Sequence, residues 1–330
     1  MPQFSVIIPV VRINDYIHET VRHLLNLTHQ NFEILIFPDA KSEEKFPKTK
    51  IIPTGKIGPA EKRTLALQYA EGEILAFLDD DAYPQNDWLS QAAKNFQDPR
   101  IAALGGPAIS PQDNSLRQKT SGACLASSFW GGIADRYIPG KKKKTVTDWP
   151  SVNFLVRKNI FQKIGGFNSQ YWPGEDTKFC LDLTRTGGNI IYDPQLIVYH
   201  HRRKTLLSHL QQIAGYGLHR GFFAKKFPAT SLKLTYFIPS LFVLLLVASP
   251  LIGYLAKRVG YIHFLYGNII ILLLYLGGML WAAIKSAFRE KNPLVGLLII
   301  PYMFLTHLVY GVKFLQGLLF IKTLKSKLRR

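Results

Sequence analysis

Three adjacent carboxylates, Asp79, Asp80 and Asp81, follow a segment from Glu73 to Leu78 that is apolar from Ile74 onward. Neighbouring carboxylates repel one another, and a bound divalent cation offsets that repulsion while also bridging phosphate oxygens. The spacing therefore indicates a metal site at the end of a buried strand. An acidic turn that is merely solvated is the alternative interpretation.

A second acidic pair, Glu175 and Asp176, stands directly after a Pro-Gly turn and at the start of a predicted helix. Acidic side chains are favoured there by the helix dipole alone. The chemical interpretation is that Asp176 acts as a general base, removing the proton from an attacking hydroxyl.

Two adjacent histidines, His200 and His201, follow the apolar run from Leu196 to Tyr199, as expected for a strand that delivers an imidazole to one edge of a sheet. Either ring is a candidate metal ligand. The neighbouring Arg202, Arg203 and Lys204 leave a basic membrane-facing cluster as an equal alternative. The sequence does not decide which histidine points inward.

These residues need a scaffold, and the flanking patterns predict one. Short β-branched or apolar runs at 4–10, 32–37 and 73–78 predict strands, and 17–27 and 60–70 predict helices between them. Repeated strand–helix cycles are typical of a mostly parallel α/β sheet. In such sheets ligands bind beyond the carboxyl ends of the strands, where Pro9, Asp39 and the three aspartates fall.

The last third of the chain is apolar, with segments at 236–256, 264–284 and 294–320. Each is long enough to cross a hydrocarbon core of about 30 Å as a helix, so we predict membrane attachment rather than buried core helices. Three spans from a cytoplasmic start would place the basic tail from Lys322 to Arg330 outside, against the positive-inside rule, so one segment could be re-entrant or interfacial.

The net charge of +19 is divided unevenly, because the residues from Tyr236 onward hold 11 of the 41 Lys and Arg but 1 of the 22 Asp and Glu. These cations flank apolar segments, which favours membrane lipids over nucleic acid as the partner. The start, MPQFSVIIPV, shows no signal-peptide pattern, so the first domain is expected in the cytoplasm.

Several segments together resemble glycosyltransferase family 2, the large family of inverting enzymes with the GT-A (Rossmann-like) fold. They are SVIIPVVRIND, GPAEKRTLALQYAEGEILAFLDDDAYP, NFLVRKNIFQKIGGFN, GEDTKFCLDL and IVYHHRR, and they span roughly residues 4 to 205. Their order, followed by apolar segments, looks most like membrane-attached transferases that make exopolysaccharide or glycolipid.

The resemblance implies roles for individual residues. Donor-binding residues would be Pro9, Asp39, Arg63, Asp79 and Asp80; metal ligands for Mn²⁺ or Mg²⁺ would be Asp81 and Asp79, with His200 or His201; acceptor-side residues would be Asn153, Trp172 and Glu175; and the catalytic base would be Asp176. The donor is expected to be a nucleotide sugar, most simply a UDP-sugar, and the acceptor a lipid-linked or other glycan.

Three features depart from the family pattern. Pro38 stands where an aspartate is usual, Thr64 stands where an asparagine is common, and no QxxRW motif is present. The missing motif argues against a processive synthase and for single sugar transfers.

The expected organisation is a GT-A catalytic domain over 1–205, an amphipathic interfacial linker over 206–235 and a transmembrane region over 236–330. The expected protein is a multi-pass cell-membrane glycosyltransferase with its catalytic domain in the cytoplasm. Two other functions remain open: a non-catalytic membrane scaffold with a degenerate sugar-nucleotide fold, and a nucleotidyltransferase.

Overall fold

The computed structural model describes residues 1–127, 133–167 and 170–324. Asn168 of the third quoted segment and the end of the basic tail, 325–330, lie outside these ranges. The described chain divides into two compact units. The first contains Met1–Pro111 and Asp135–His201, and the second contains Gln112–Ala134 and Arg202–Leu324.

The first unit holds the strands. They are β1 (Phe4–Pro9), β2 (Phe32–Phe37), β3 (Thr49–Ile51), β4 (Ile74–Leu78), β5 (Ala82–Pro84), β6 (Ile101–Gly105), β7 (Ala108–Ile109), β8 (Lys144–Val146), β9 (Asn153–Arg157), β10 (Asn189–Tyr192) and β11 (Val198–His200). Among the described residues, eight of them form one sheet in the order β3-β2-β1-β4-β9-β6-β10-β8. A second sheet has the order β5-β11-β7.

The large sheet is mostly parallel. Strands β3, β2, β1 and β4 run parallel to one another, as do β6 and β10, whereas β9 is antiparallel to both of its neighbours and β8 is antiparallel to β10. The carboxyl ends of β1, β2 and β4 therefore meet at one edge. This arrangement confirms the predicted α/β class and the predicted strands at 4–10, 32–37 and 73–78.

Helices cover both faces of this sheet. They are α1 (Asp15–Leu25), α2 (Pro59–Leu65), α3 (Trp88–Asn95), α5 (Lys158–Ile164) and α6 (Glu175–Arg185). Side chains alternate across β1, so that Val6 and Ile8 pack in the core with α1 and α3, whereas Ile7 packs in the core with α2, α5 and α6. Burial on both faces explains why the strands are continuously apolar rather than alternating.

The second unit is helical over its described residues. Its helices are α4 (Leu116–Ala126), α7 (Leu206–Lys226), α8 (Pro228–Ser231), α9 (Leu234–Val259), α10 (Ile262–Arg289) and α11 (Pro293–Leu315), the last continued by a π-helix over Gln316–Phe320. Within the described chain, three helices are long and apolar enough to cross a membrane: Leu234–Val259, Leu265–Arg289 and Pro293–Phe320. These confirm the three apolar helices predicted from the sequence.

Helix α4 packs among the apolar helices. Its Ala123 and Cys124 share a buried cluster with Met279, Val295 and other residues of α10 and α11. The domain predicted over 1–205 includes this segment, because nothing in its local pattern indicates a contact with the distant helices α10 and α11.

A buried imidazole ties α4, α7 and α11 together. His209 Nδ1 is 2.8 Å from Ser121 Oγ, and His209 Nε2 is 2.8 Å from Thr306 Oγ1. Burial lowers the pKa of His209 to about 4, so the ring is neutral near pH 7 and bridges two hydroxyl groups without a buried charge. Close packing of α7 on α11 also requires a small residue at Gly221, where a Cβ atom would lie 2.0 Å from the Phe314 carbonyl oxygen.

Candidate active site

Asp79, Asp81 and His200 form a cluster at the carboxyl end of β4. One ligand atom from each lies within 4.8 Å of the other two, and His200 Nε2 is 3.0 Å from Asp81 Oδ1. The small sheet explains how residues so distant in sequence meet, because β11 pairs with β5 and places His200 opposite Ala82, directly after the aspartates. The three residues are partly buried.

The donor atoms of this cluster fit a divalent cation. Two carboxylates offer hard oxygen ligands and an imidazole offers nitrogen, a mixed set that suits Mn²⁺ better than the oxygen-preferring Mg²⁺. The imidazole of His200, from a different strand, thus lies beside the two carboxylates of the acidic turn. A turn that is merely solvated would not need such a partner.

The structure separates the two histidines that the sequence left equivalent. His201 Nε2 lies 2.8 Å from Glu19 Oε2 of α1, and the His201 ring packs 4.7 Å from the Tyr16 ring. Its backbone N–H donates to the Asp81 carbonyl oxygen at 3.0 Å. In this structure His200 belongs to the candidate metal cluster, whereas His201 fastens β11 to α1.

We therefore expect His200→Ala to weaken Mn²⁺ binding by at least about tenfold, because it removes a ligand atom. His201→Ala is the matched control: it keeps the backbone hydrogen bond to Asp81 and should change the Mn²⁺ affinity by less than about threefold. Electron paramagnetic resonance titration of free Mn²⁺ measures both. Equal losses in the two variants would contradict this assignment.

Arg63 connects the metal cluster to helix α6. Its guanidinium Nη2 donates to Asp79 Oδ1 at 2.5 Å and its Nη1 donates to Glu175 Oε1 at 3.1 Å. The side chain is 4% exposed, and its guanidinium carbon lies 5.8 Å from the centre of the Phe167 ring. Arg63 thus holds two acidic residues that the sequence placed in separate motifs.

The other predicted donor-side residues lie around the ends of β1 and β2. Pro9 is buried at the end of β1, opposite Phe37 in the register, and Asp39 follows β2. Asp39 Oδ1 accepts a hydrogen bond from Lys62 Nζ, which also donates to the Val10 carbonyl oxygen at 2.6 Å. Asp80 is partly exposed between the two cluster aspartates.

The two acidic residues at the start of α6 differ in their exposure to solvent. Glu175 is 4% exposed, whereas Asp176 is partly exposed. Asp176 Oδ1 accepts from the Thr177 N–H at 2.7 Å and Oδ2 accepts from the Ser151 N–H at 3.4 Å. Gly174, with a φ of 119°, begins the turn in a conformation that suits glycine. Trp172 is partly exposed just before this turn.

The pKa of Glu175 is raised above its ordinary value. Burial is the largest cause and repulsion from Asp176 is the second, while the Arg63 guanidinium lowers it. Two acids at one helix start are therefore held in different electrostatic surroundings.

Asn153, predicted to lie on the acceptor side, is a core residue in this structure. It is fully buried, and its amide is used completely by internal partners. Trp88 Nε1 donates to Asn153 Oδ1 at 3.0 Å, and Asn153 Nδ2 donates to the carbonyl oxygens of Pro107 at 3.1 Å and Leu196 at 2.6 Å. The residue joins β9 to the segments around β7 and β11.

We expect Asn153→Ala to lower the free energy of unfolding by about 3 kcal/mol, because it leaves one buried donor and two buried acceptors without their partner. Urea unfolding in detergent, followed by tryptophan fluorescence, measures the loss. The control is Asn159→Ala, an exposed position where a change below about 0.5 kcal/mol is expected. Wild-type stability in Asn153→Ala would refute the structural role.

Two residues of this region were absent from the sequence-based set. Lys62, next to Arg63 on α2, is buried and contacts Asp39, and Glu19 on α1 contacts His201. One sequence pattern indicated Lys62. Lys62 and Arg63 are adjacent cations near the start of a helix that begins with a Gly-Pro pair, and this helix precedes the acidic turn in the chain. Glu19 had none, since its partner lies 182 positions away.

Comparison with known proteins agrees with this geometry. Residues 5–165 match the family model described as Glycosyl transferase family 2. A dolichyl N-acetyl-alpha-D-glucosaminyl phosphate 3-beta-D-2,3-diacetamido-2,3-dideoxy-beta-D-glucuronosyltransferase of Methanococcus voltae is 21% identical over 336 residues, covering 96% of this chain and 97% of that protein. The pre-mycofactocin glycosyltransferase of Mycobacterium tuberculosis is 30% identical over 160 residues.

This second match covers 48% of the chain and 33% of the mycobacterial protein, so the chain corresponds to about a third of that relative's length. Among solved structures, a mannosyltransferase from Pyrobaculum calidifontis, in complex with GDP-Man and Mn²⁺, is similar with a TM-score of 0.56 and 17% identity. That likeness covers 98% of this chain and 88% of the other.

A mostly parallel sheet with carboxylates beyond its strand ends, in a chain similar along its length to that mannosyltransferase, defines a protein of the GT-A fold. The match over residues 5–165 assigns this part of the chain to glycosyl transferase family 2. The family and the fold predicted from the sequence are both confirmed.

Proposed function

We propose that this protein is an inverting glycosyltransferase, which moves a sugar from a nucleotide-sugar donor to a lipid-linked or membrane-proximal acceptor. The cluster of Asp79, Asp81 and His200 is the observation that carries the proposal. Arg63 ties this cluster to Glu175, the residue that precedes Asp176, so metal ligands and proposed base belong to one connected site.

The donor binds at the carboxyl ends of β1, β2 and β4. Asp79, Asp81 and His200 would hold a divalent metal, for which the mixed oxygen and nitrogen ligands favour Mn²⁺ over Mg²⁺. When bound, such an ion supplies positive charge that stabilises the diphosphate leaving group. Pro9, Asp39, Asp80 and Arg63 surround the nucleotide, with Lys62 holding Asp39 in place.

Transfer takes place in one displacement. The acceptor oxygen forms a bond to the anomeric carbon while the bond from that carbon to the diphosphate oxygen breaks, and the nucleoside diphosphate leaves with the electron pair. Asp176 accepts the acceptor hydroxyl's proton, a role that its partial exposure allows. One displacement inverts the anomeric configuration, and no covalent enzyme intermediate forms. Trp172 lies on the acceptor side of the same turn.

The acceptor is membrane-associated in this proposal. The three apolar helices and the likeness to a relative named for a dolichyl phosphate-linked sugar both support it. Residues 206–235 lie at the membrane interface, the helices cross the membrane as a multi-pass anchor, and the catalytic domain over 1–205 faces the cytoplasm. A UDP-sugar is the donor to test first.

Purified protein in native-like membranes should be incubated with UDP-, GDP- and TDP-sugars, with Mn²⁺, Mg²⁺ or chelator. The proposal expects metal-dependent release of one nucleoside diphosphate together with a glycosylated lipid. Release of pyrophosphate would favour a nucleotidyltransferase instead. Nucleotide binding without turnover, across the panel and with membrane extract added, would support the non-catalytic scaffold.

A further inference from the structure

Glu175 is placed where it cannot act directly on a substrate. Its side chain is 6% exposed, and one carboxylate oxygen accepts from Arg63 Nη1 at 3.1 Å. The other accepts from the Gly174 N–H at 3.1 Å. Both oxygens therefore accept hydrogen bonds within the protein, and the side chain offers little surface to the acceptor beside which it was predicted to lie.

Arg63 is held on two sides by this arrangement. Its two terminal nitrogens bond to Asp79 and Glu175, and the guanidinium group is planar, so these two contacts fix its orientation. Its Nε is buried without a hydrogen-bond partner among the described residues. Leaving this N–H unpaired in the interior is unfavourable. The two terminal nitrogens nevertheless let Arg63 contact the carboxylate after β4 and the one on α6 at the same time, and the single ammonium group of a lysine could not replace this planar pair of donors.

The contact also fixes the first turn of α6. Glu175 is the first residue of this helix, so tying its carboxylate to Arg63 sets the rotation of the turn about the helix axis. Asp176 is the next residue, about 100° further round the helix, and it points in a different direction. The orientation of Asp176 is thereby linked to the position of Asp79.

We propose that Glu175 is a positioning residue that, through Arg63, holds the candidate base Asp176 in register with the donor-side carboxylate Asp79. This inference rests on the proposed function, since it assigns a purpose to the connection between metal cluster and base. The contact between Glu175 and Arg63 aligns the two halves of the site, and Glu175 itself contributes little to donor affinity.

The test is Glu175→Gln in the full-length protein. Glutamine keeps the shape of the side chain but has one acceptor oxygen instead of two, so it cannot accept from both Arg63 and Gly174, while Arg63 retains Asp79 as a partner. We expect kcat for sugar transfer to fall by about 30- to 100-fold, because small errors in the alignment of a reacting group are costly. The donor KM and the Mn²⁺ affinity should change by less than about threefold.

Two comparisons separate positioning from general damage. Asp182→Asn removes another carboxylate of α6, one paired with Lys178 near the surface, and should keep wild-type kcat. In an Arg63→Lys background, adding Glu175→Gln should lower kcat by less than about threefold, because the two residues act through one connection. If Glu175→Gln does not fold, Glu175→Asp takes its place and should show the same kcat-specific loss.

Wild-type kcat in Glu175→Gln, a loss confined to the donor KM, or fully additive losses with Arg63→Lys would each overturn the positioning role. These results differ from failure of the proposed function, in which the wild-type protein itself would transfer no sugar. Unchanged Mn²⁺ affinity by electron paramagnetic resonance, together with a single cooperative unfolding transition, identifies the expected case independently of activity.

Discussion

Asp176→Asn is expected to reduce kcat for sugar transfer by about 10³-fold, within the range that a general base contributes. Asparagine has nearly the same shape, and its single amide oxygen can still accept the shorter of the two backbone hydrogen bonds, from Thr177, but it cannot take up the acceptor's proton. Nucleotide affinity should stay within about threefold of wild type, because the carboxylate has no part in donor binding.

The measurement combines single-turnover transfer with calorimetric titration of the nucleoside diphosphate in the presence of Mn²⁺. A parallel loss of nucleotide affinity would show that Asp176 serves donor binding. Full transfer activity in Asp176→Asn would exclude it as the base. The Asp182→Asn variant, on the same helix, controls for a general effect of removing a charge from α6.

Asp81→Asn is expected to lower transfer by about 10³-fold, through loss of the metal-derived stabilisation of the leaving group. The amide keeps one oxygen but carries no charge, and the 3.0 Å contact with His200 loses its anionic partner. The Mn²⁺ affinity should fall by at least about 100-fold in the same variant, because a first ligand matters at least as much as the groups that orient it.

Titration with Mn²⁺, read by electron paramagnetic resonance, and transfer assays across a range of Mn²⁺ concentrations check this expectation. Asp15→Asn, which removes an exposed carboxylate from the same unit, provides the control and should match wild type in both assays. Wild-type Mn²⁺ affinity in Asp81→Asn would show that the cluster is not the metal site. Activity that persists with chelator would remove metal from the mechanism.

The fold could be predicted from sequence where local pattern and tertiary role coincide. Strands β1, β2 and β4 are buried on both faces, so their continuous apolar runs are visible without knowledge of neighbours. The apolar helices were equally predictable from sequence, and the observed helices are somewhat longer. The segment predicted at 236–256, for example, is the helix Leu234–Val259 in the structure. Their ends were less predictable, because capping and turns determine them.

The candidate site was predictable in its acidic members and less so in its partners. Asp79 and Asp81 can be recognised because they directly follow an apolar strand. The choice of His200 over His201 depends on the pairing register between β11 and β5, which the sequence does not show. Asn153 lies within an apolar strand, and its burial follows from packing against Trp88. Such contacts join segments distant in sequence, so no local spacing encodes them.

The path of the chain between the two units has a practical consequence for handling the protein. The backbone leaves the first unit after Pro111, contributes α4 to the second, returns at Asp135 and leaves again after His201. A fragment ending at residue 201 would therefore retain α4 while deleting the helices that bury Ala123 and Cys124. Such a truncation exposes an apolar surface and invites aggregation. A fragment limited to the first unit would need residues 112–134 removed as well, because part of the second unit is encoded between two parts of the first.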